Sequence, residues 1–381
     1  MLLKEVCKIS ANNYQKKDNW SYFNYLDTGS LTKNNIDGFL KFNNTKELPS
    51  RAKQKVEKDA ILYSSVRPNQ EHYGYIDKDY DNLLVSTGFI ILEPTQSKVN
   101  PKYLYYYITQ KRITDLLQGI AQNSTSSYPS ITKDDLLDLE IDLPPRPIQD
   151  KIAEILSNID SQIERNNTMV KTLQVLGNTT FSAYFKDCED IVAFTKFPYC
   201  EIIKPSIDKF NDTKHYIATA EVNDTNLNFD APLITYDNRE SRANMQPIKN
   251  SIWFAKLKNS IKHIYVPNND SVLTSNYIFS TGFCGLKCDE IAYEFLIGFV
   301  ELPYFETIKD KLAHGATMES VNNDDLASIN IPLPKKEILE DYHNKTKDIY
   351  EQISMLQVEN YKLNTLKQTL LPLLINGQLV V

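Results

Sequence analysis

Nowhere in its 381 residues does the chain carry an apolar run approaching the roughly 20 residues that a membrane-spanning helix needs. The opening Met1-Leu2-Leu3-Lys4-Glu5-Val6 meets a base and an acid at once, so no signal peptide is expected. Cysteine is sparse: the five at positions 7, 188, 200, 284 and 288 are too scattered for a disulfide framework, which points to a reducing, cytoplasmic setting. There is no GxxxxGKS/T loop for nucleotide and no glycine-rich cofactor fingerprint. Leu143-Pro144-Pro145-Arg146 lacks the polar and aromatic flanks of the Asp/Asn-Pro-Pro-Tyr/Phe tetrapeptide of amino-methyltransferases. Cys284 and Cys288 have no second cysteine pair or histidine cluster nearby, and the five histidines are dispersed, so no metal site is expected. Asp134-Asp135 and Asp324-Asp325 precede apolar runs, where helix capping or a turn explains them better than a nuclease centre. The expectation is a chain without catalytic residues or a cofactor of its own.

What is present is a folded composition, 41% hydrophobic and 24% charged, over a length that suits two or three domains. The net charge is −7, and it is unevenly spread. Residues 1–147 hold 19 basic and 18 acidic side chains, whereas residues 186–337 hold 16 and 22. A polyanion partner would therefore have to be met by local basic clusters, or by charge from other subunits.

The chain also repeats itself. Ser50-Arg51-Ala52 recurs as Ser241-Arg242-Ala243, and the register continues through Lys58 and Lys249, Ile61 and Ile252, Tyr63 and Phe254, Val66 and Leu257, and Arg67 and Lys258. Ser86-Thr87-Gly88-Phe89 recurs as Ser280-Thr281-Gly282-Phe283, and Asp134-Asp135-Leu136 as Asp324-Asp325-Leu326. Ile141-Asp142-Leu143-Pro144 matches Ile331-Pro332-Leu333-Pro334, and Tyr25-Leu26-Asp27-Thr28 sits opposite Tyr216-Ile217-Ala218-Thr219. One such match could be chance, but a collinear series across both halves indicates duplication.

Each half begins with mixed structure. Residues 60–66 and 83–92 are apolar, β-branched and aromatic and read as strands, and 101–117 reads as one helix. The segment Pro144-Pro145-Arg146-Pro147 then marks a boundary. Beyond it, Ile152, Leu156, Ile159, Ile163, Asn166, Val170 and Leu173 follow heptad spacing. The matching series after residue 338 is Tyr342, Ile349, Ile353, Leu356, Asn360, Leu363 and Leu370. The reading is α+β: mixed domains at 1–147 and 186–337, with long helices at 148–185 and 338–381. The two helices are expected to pair as an antiparallel coiled coil within a pseudo-twofold repeat. Asn166 and Asn360 occupy mid-helix seam positions, where a polar residue can fix register.

This order, and the local motifs, resemble the DNA specificity (S) subunit of type I restriction-modification systems. The motifs are Pro49-Ser50-Arg51-Ala52, the stretch from Ile61 through Tyr63-Ser64-Ser65-Val66-Arg67-Pro68, Ser86-Thr87-Gly88-Phe89, and Leu143-Pro144-Pro145-Arg146-Pro147-Ile148-Gln149 followed by Lys151-Ile152-Ala153. The resemblance spans essentially the whole chain. It implies two target-recognition domains, each reading one half of a bipartite, asymmetric site in duplex DNA. It implies helices that set the spacer and dock two methyltransferase subunits, which use S-adenosylmethionine on adenine N6. A separate motor-nuclease subunit would use ATP and Mg²⁺. The alternative is a stand-alone duplex DNA-binding protein without methyltransferase partners. The second half departs from the pattern where Arg67-Pro68 becomes Lys258-Asn259 and Val56 becomes Pro247.

The candidate DNA contacts follow from residue type. Arg51 and Arg242 recur in identical context, and an arginine fork suits guanine or phosphate. Arg67 and Lys258 end the next strand, although lysine cannot copy a bidentate fork. Lys53 and Lys55 add local positive charge in the first half, against a competing reading as an ordinary solvated face. Ser124, Thr125 and Thr317 lie in equivalent polar loops, and Arg239 and Asn244 flank Arg242. Loops are polar in any case, so these last rest on position alone.

Overall fold

The computed structural model describes every residue except 124–127, 229–230, 317 and 380, and the side chain of Asn226. The chain is α+β and divides into two compact units, one of Met1–Ser161 with Asn364–Val381, the other of Gln162–Leu363.

In the first unit the principal strands are β1 (Cys7–Ile9), β2 (Phe23–Leu26), β3 (Leu40–Phe42), β4 (Ala52–Lys55), β5 (Ile61–Ser64), β6 (Tyr73–Tyr75), β7 (Leu83–Ser86) and β8 (Phe89–Pro94). They form two four-stranded sheets, ordered β1-β8-β5-β6 and β3-β2-β7-β4. Only β2 and β7 run parallel. Helices α1 (Pro101–Ile108) and α2 (Lys111–Gln122) follow, and then the 40-residue α3 (Arg146–Phe185) begins.

The second unit has β9 (Cys200–Ile202), β10 (Lys214–Ile217), β11 (Leu233–Ile234), β12 (Ala243–Met245), β13 (Ser251–Ala255), β14 (His263–Val266), β15 (Tyr277–Ser280) and β16 (Phe283–Cys288). Their sheets are ordered β9-β16-β13-β14 and β11-β10-β15-β12, again with one parallel pair, β10 with β15. Helices α4 (Tyr293–Val300) and α5 (Pro303–Leu312) come next, and the 40-residue α6 (Lys336–Ile375) last. Strand for strand, the two units have the same topology.

The central strands β5 and β13 are buried along their whole length because both faces are covered. Ile61 and Tyr63 join the cluster built on α1, while Leu62 joins the core against the second sheet with Leu26 and Val85. In the same way Ile252 and Phe254 face α4, while Trp253 and Ala255 face Phe279. Alternation therefore survives, with an apolar partner on each side. Across the strand pair, Leu62 lies opposite Ile91 in the first unit, and Trp253 opposite Gly285 in the second. A Cβ at Gly285 would come within 2.5 Å of the Trp253 ring, so the larger side chain on one strand requires none on its neighbour.

Two expectations are corrected. The span 101–117 is two helices, because Gln110 takes an extended backbone (φ −61°, ψ 145°) between the end of α1 and the start of α2. Leu117 is thereby buried and Leu116 is exposed. The span 83–92 is two strands, broken at Thr87-Gly88, each strand belonging to a different sheet. The long helices begin at Arg146 and Lys336, two residues early. Pro147 stands in the first turn of α3, where its missing N–H has no intrahelical acceptor to lose.

In the first unit, Ile152 and Leu156 of α3 and Leu374 and Ile375 of α6 share one core, and Ile159 is buried. Asp160 accepts from Tyr106 Oη (2.7 Å) and Lys367 Nζ (2.5 Å). In the second unit, Ile353, Leu356, Asn166 and Asn360 are buried, while Ile163, Leu173, Ile349 and Leu363 are half-buried. Asn166 Nδ2 donates to Asn360 Oδ1 (2.9 Å) and to Glu359 (3.1 Å), and Asn360 Nδ2 donates to Asn167 (2.8 Å). Thr346 and Tyr350 are buried beside Tyr342, although heptad reading passed over them in favour of Ile349. Their polar atoms disguised them as surface residues.

Gly285→Ala should lower stability by about 1–3 kcal/mol through overpacking against Trp253, read as a lower denaturation midpoint. Asn166→Leu should cost about 1–3 kcal/mol by removing the donor to the buried Asn360 Oδ1. Adding Asn360→Leu should recover most of that loss, and a double-mutant cycle in urea would show non-additivity.

Candidate nucleic-acid interface

In each unit the two sheets meet at one tight turn. Ser86-Thr87-Gly88-Phe89 carries the chain from β7 in one sheet to β8 in the other, and Ser280-Thr281-Gly282-Phe283 does the same between β15 and β16. A turn between sheets leaves backbone groups that neither ladder can satisfy, and every one of them needs a partner. Here the Thr87 N–H donates to the Arg51 carbonyl, and the Thr281 N–H to the Arg242 carbonyl, each at 2.9 Å. The Gly88 carbonyl accepts from the Ser65 N–H and the Gly282 carbonyl from the Lys256 N–H, again at 2.9 Å. The hydroxyls of Ser86 and Ser280 accept from the glycine N–H groups (3.2 and 3.1 Å). A Cβ on either glycine would press on Thr28 or Thr219, at 2.9 and 3.0 Å.

The loop after the second helix closes each junction. Arg67 N–H donates to the Pro129 carbonyl (2.8 Å), and Lys258 N–H to the Glu319 carbonyl (2.9 Å). Ile131 N–H donates to the Ser65 carbonyl (2.8 Å), and Val321 N–H to the Lys256 carbonyl (3.0 Å). This chain of bonds gathers Arg51, Thr87, Arg67 and Tyr128 at one end of the first unit's sheets. It does the same for Arg242, Thr281, Lys258 and Glu319 in the second.

Individual candidates differ in their surroundings. Arg51 and Arg242 are exposed, one residue ahead of β4 and β12. Lys53 and Asn244 stand at equivalent register shifts, Lys53 exposed and Asn244 half-buried; such bulges re-aim a side chain. Lys55 is held at 3.1 Å by Asp18, whose carboxyl lies below its ordinary range because the Gln15 N–H and Lys55 both bond it. Arg67 adopts a left-handed backbone (φ 48°), and its guanidinium lies 5.1 Å over the Tyr128 ring. Lys258 pairs with Glu319. Arg239 stacks at 4.1 Å on Tyr236 and donates to that residue's carbonyl. Ser124, Thr125 and Thr317 lie outside the described residues.

Sequence reasoning missed the Arg67–Tyr128 stack, although Tyr128 ends the very loop singled out; spacing alone does not say what a loop residue covers. The aspartate pairs serve as caps. Asp135 and Thr132 satisfy each other's backbone N–H groups (2.7 and 3.1 Å), as do Asp325 and Asn322 (2.7 and 2.9 Å). Cys284 and Cys288 are buried, and burial pushes the Cys284 thiol up to about 12. Among the described residues no group of three His, Cys, Asp or Glu lies together as metal ligands would. None of the described helices is long and apolar enough to cross a membrane.

Comparison with known proteins matches residues 1–174 to the family model for the type I restriction modification DNA specificity domain. The type I restriction enzyme HindI specificity subunit of Haemophilus influenzae is 24% identical, over 97% of this chain and 98% of its own. A putative type I restriction enzyme MjaX specificity subunit of Methanocaldococcus jannaschii is 22% identical, over 100% and 93%. The crystal structure of a type I restriction-modification system S subunit from M. genitalium shares the fold, with a TM-score of 0.53 at 15% identity, covering 98% of this chain and 95% of that one. Residues 1–174 thus match the type I restriction modification DNA specificity domain, and the chain along its length is similar to specificity subunits of type I restriction enzymes.

Proposed function

We propose that this chain is the DNA-specificity subunit of a type I restriction-modification complex and performs no chemistry itself. Residues 1–147 and 186–337 act as two target-recognition domains, each reading one half of a bipartite duplex site. The helical stretches 148–185 and 338–381 pair as an antiparallel coiled coil, set the spacer between half-sites, and dock two methyltransferase subunits that modify adenine N6. A motor-nuclease subunit completes the restriction form.

The observation that carries this reading is the duplicated junction, which presents an exposed arginine at the same backbone position in two units that share one topology. Two similar readers fused in one chain are free to diverge, and these have: Arg67 over Tyr128 in one becomes Lys258 beside Glu319 in the other. An asymmetric site follows. The helices support the pairing by their matched length, 40 residues or about 60 Å each, and by contacts that run in opposite directions along them. Asp160 meets Lys367 and Asn166 meets Asn360, so a later residue on one helix faces an earlier residue on the other. The acidic balance of the second half means that phosphate attraction comes in part from partner subunits.

Single-molecule methylation mapping in cells that co-express the chain with its methyltransferase should reveal N6-methyladenine at one split, asymmetric motif, absent without the chain. A well-formed complex that adds no methylation would favour the stand-alone reader. Arg51→Ala and Arg242→Ala should each weaken recognition of one half-site by about 1–3 kcal/mol, in binding assays with either half scrambled. Equal loss at both halves would count against the assignment. Ile159→Asp should disrupt helix pairing and methyltransferase docking together, and normal assembly on size-exclusion chromatography would refute the seam role.

A further inference from the structure

The second unit contains a buried charged network that is absent among the described residues of the first unit. Lys309 of α5 is fully buried. Its ammonium donates to the Ser260 carbonyl (3.0 Å) and the Ala255 carbonyl (3.2 Å) and forms an ion pair with Glu306 Oε2 (2.5 Å). His263 Nε2 lies 3.1 Å from the other oxygen of Glu306. Ala255 and Ser260 bracket the segment 256–260 that leaves β13 and carries Lys258 and Asn259. Asn259 has a left-handed backbone (φ 55°), and its N–H is capped by Asp310 (3.0 Å), the next residue of α5.

The first unit solves the same problem differently. There Asn69 N–H is capped by Gln118 of α2 (3.1 Å), which aligns α2 with α5 and sets Leu117 against Lys309 and Thr114 against Glu306. Strand register sets Tyr73 against His263. The segment itself folds into a 3-10 turn, Pro68–Gln70, whose own bonds, Gln70 N–H to Arg67 and Glu71 N–H to Pro68, occupy its carbonyls. The second segment turns at Lys258-Asn259 without a 3-10 helix, and the carbonyls of Ala255 and Ser260 accept from the buried Lys309. A buried ammonium bonded to both carbonyls and ion-paired with a carboxylate holds its acceptors in one geometry, and removing one partner of such a network is costly.

We infer that Lys309 is a positioning residue for the second half-site: from within the core it fixes the 256–260 segment that presents Lys258 to DNA. This rests on the recognition role proposed above. The test uses the full chain in complex with its methyltransferase, and duplexes carrying the wild-type motif with either half intact or altered.

The triple variant Lys309→Leu, Glu306→Thr, His263→Tyr copies the first unit's apolar solution and leaves no unpaired buried charge. It should melt within a few degrees of wild type and assemble normally. Discrimination at the second half-site should fall roughly tenfold, the scale of losing one well-placed contact, with the first unchanged. Glu306→Gln, which keeps both carbonyls available to Lys309, should lower the melting temperature but leave discrimination intact in the assembled complex. Unchanged specificity in the triple variant, equal loss at both halves, or an equal loss in Glu306→Gln would each overturn the inference. Absence of any sequence-specific methylation by the wild-type complex would instead defeat the recognition role itself.

Discussion

Each unit depends on satisfying the backbone at the point where one sheet becomes the other. The Thr-Gly pair of each turn lies outside both ladders, so it borrows the carbonyl of Arg51 or Arg242 on one side and the N–H of Ser65 or Lys256 on the other. Those strands in turn hold the loop that follows the second helix. Three segments far apart in the chain are thereby brought to one end of the sheets, where Arg51, Arg67 and Tyr128 stand in the first unit and Arg242 and Lys258 in the second. The arginines are exposed because their carbonyls, rather than their side chains, are used by the fold.

With that backbone held in common, the two units have diverged by compensating exchange. Leu62 and Ile91 in one become Trp253 and Gly285 in the other, a transfer of volume across a strand pair. Close packing tolerates such a swap only when both positions change, because the Trp253 ring fills the space a Cβ on Gly285 would need. The helices show the same habit. At one turn of the first unit Asp160 binds Lys367, and at a corresponding turn of the second the Tyr350 ring lies against Gly177.

Buried polar groups are concentrated where shape must be specified. The amides of Asn166 and Asn360 find each other, and Glu294 finds His343 at 2.7 Å between α4 and α6. Burial raises the Glu294 carboxyl pKa, with the His343 bond opposing the rise. None of these pairs is a large source of stability, because desolvation offsets most of the attraction. They discriminate against other arrangements, since any shift would leave a polar atom in the core without a partner.

What the sequence by itself determined was the duplication, the mixed domains, the long helices, and the arginines in repeated context. Short identical words at a nearly constant offset survive because the junction's backbone bonding constrains them, and a heptad stripe follows from the 3.6-residue period of a helix. Tertiary structure alone decided the rest. The bulges at Lys53 and Asn244, the burial of Thr346 and Tyr350, the stack of Arg67 on Tyr128, and the internal use of Lys309 all depend on what stands opposite. A lysine reads as surface and a tyrosine as ambiguous until the partner that satisfies or covers it is in place, and that partner lies tens of residues away in the chain.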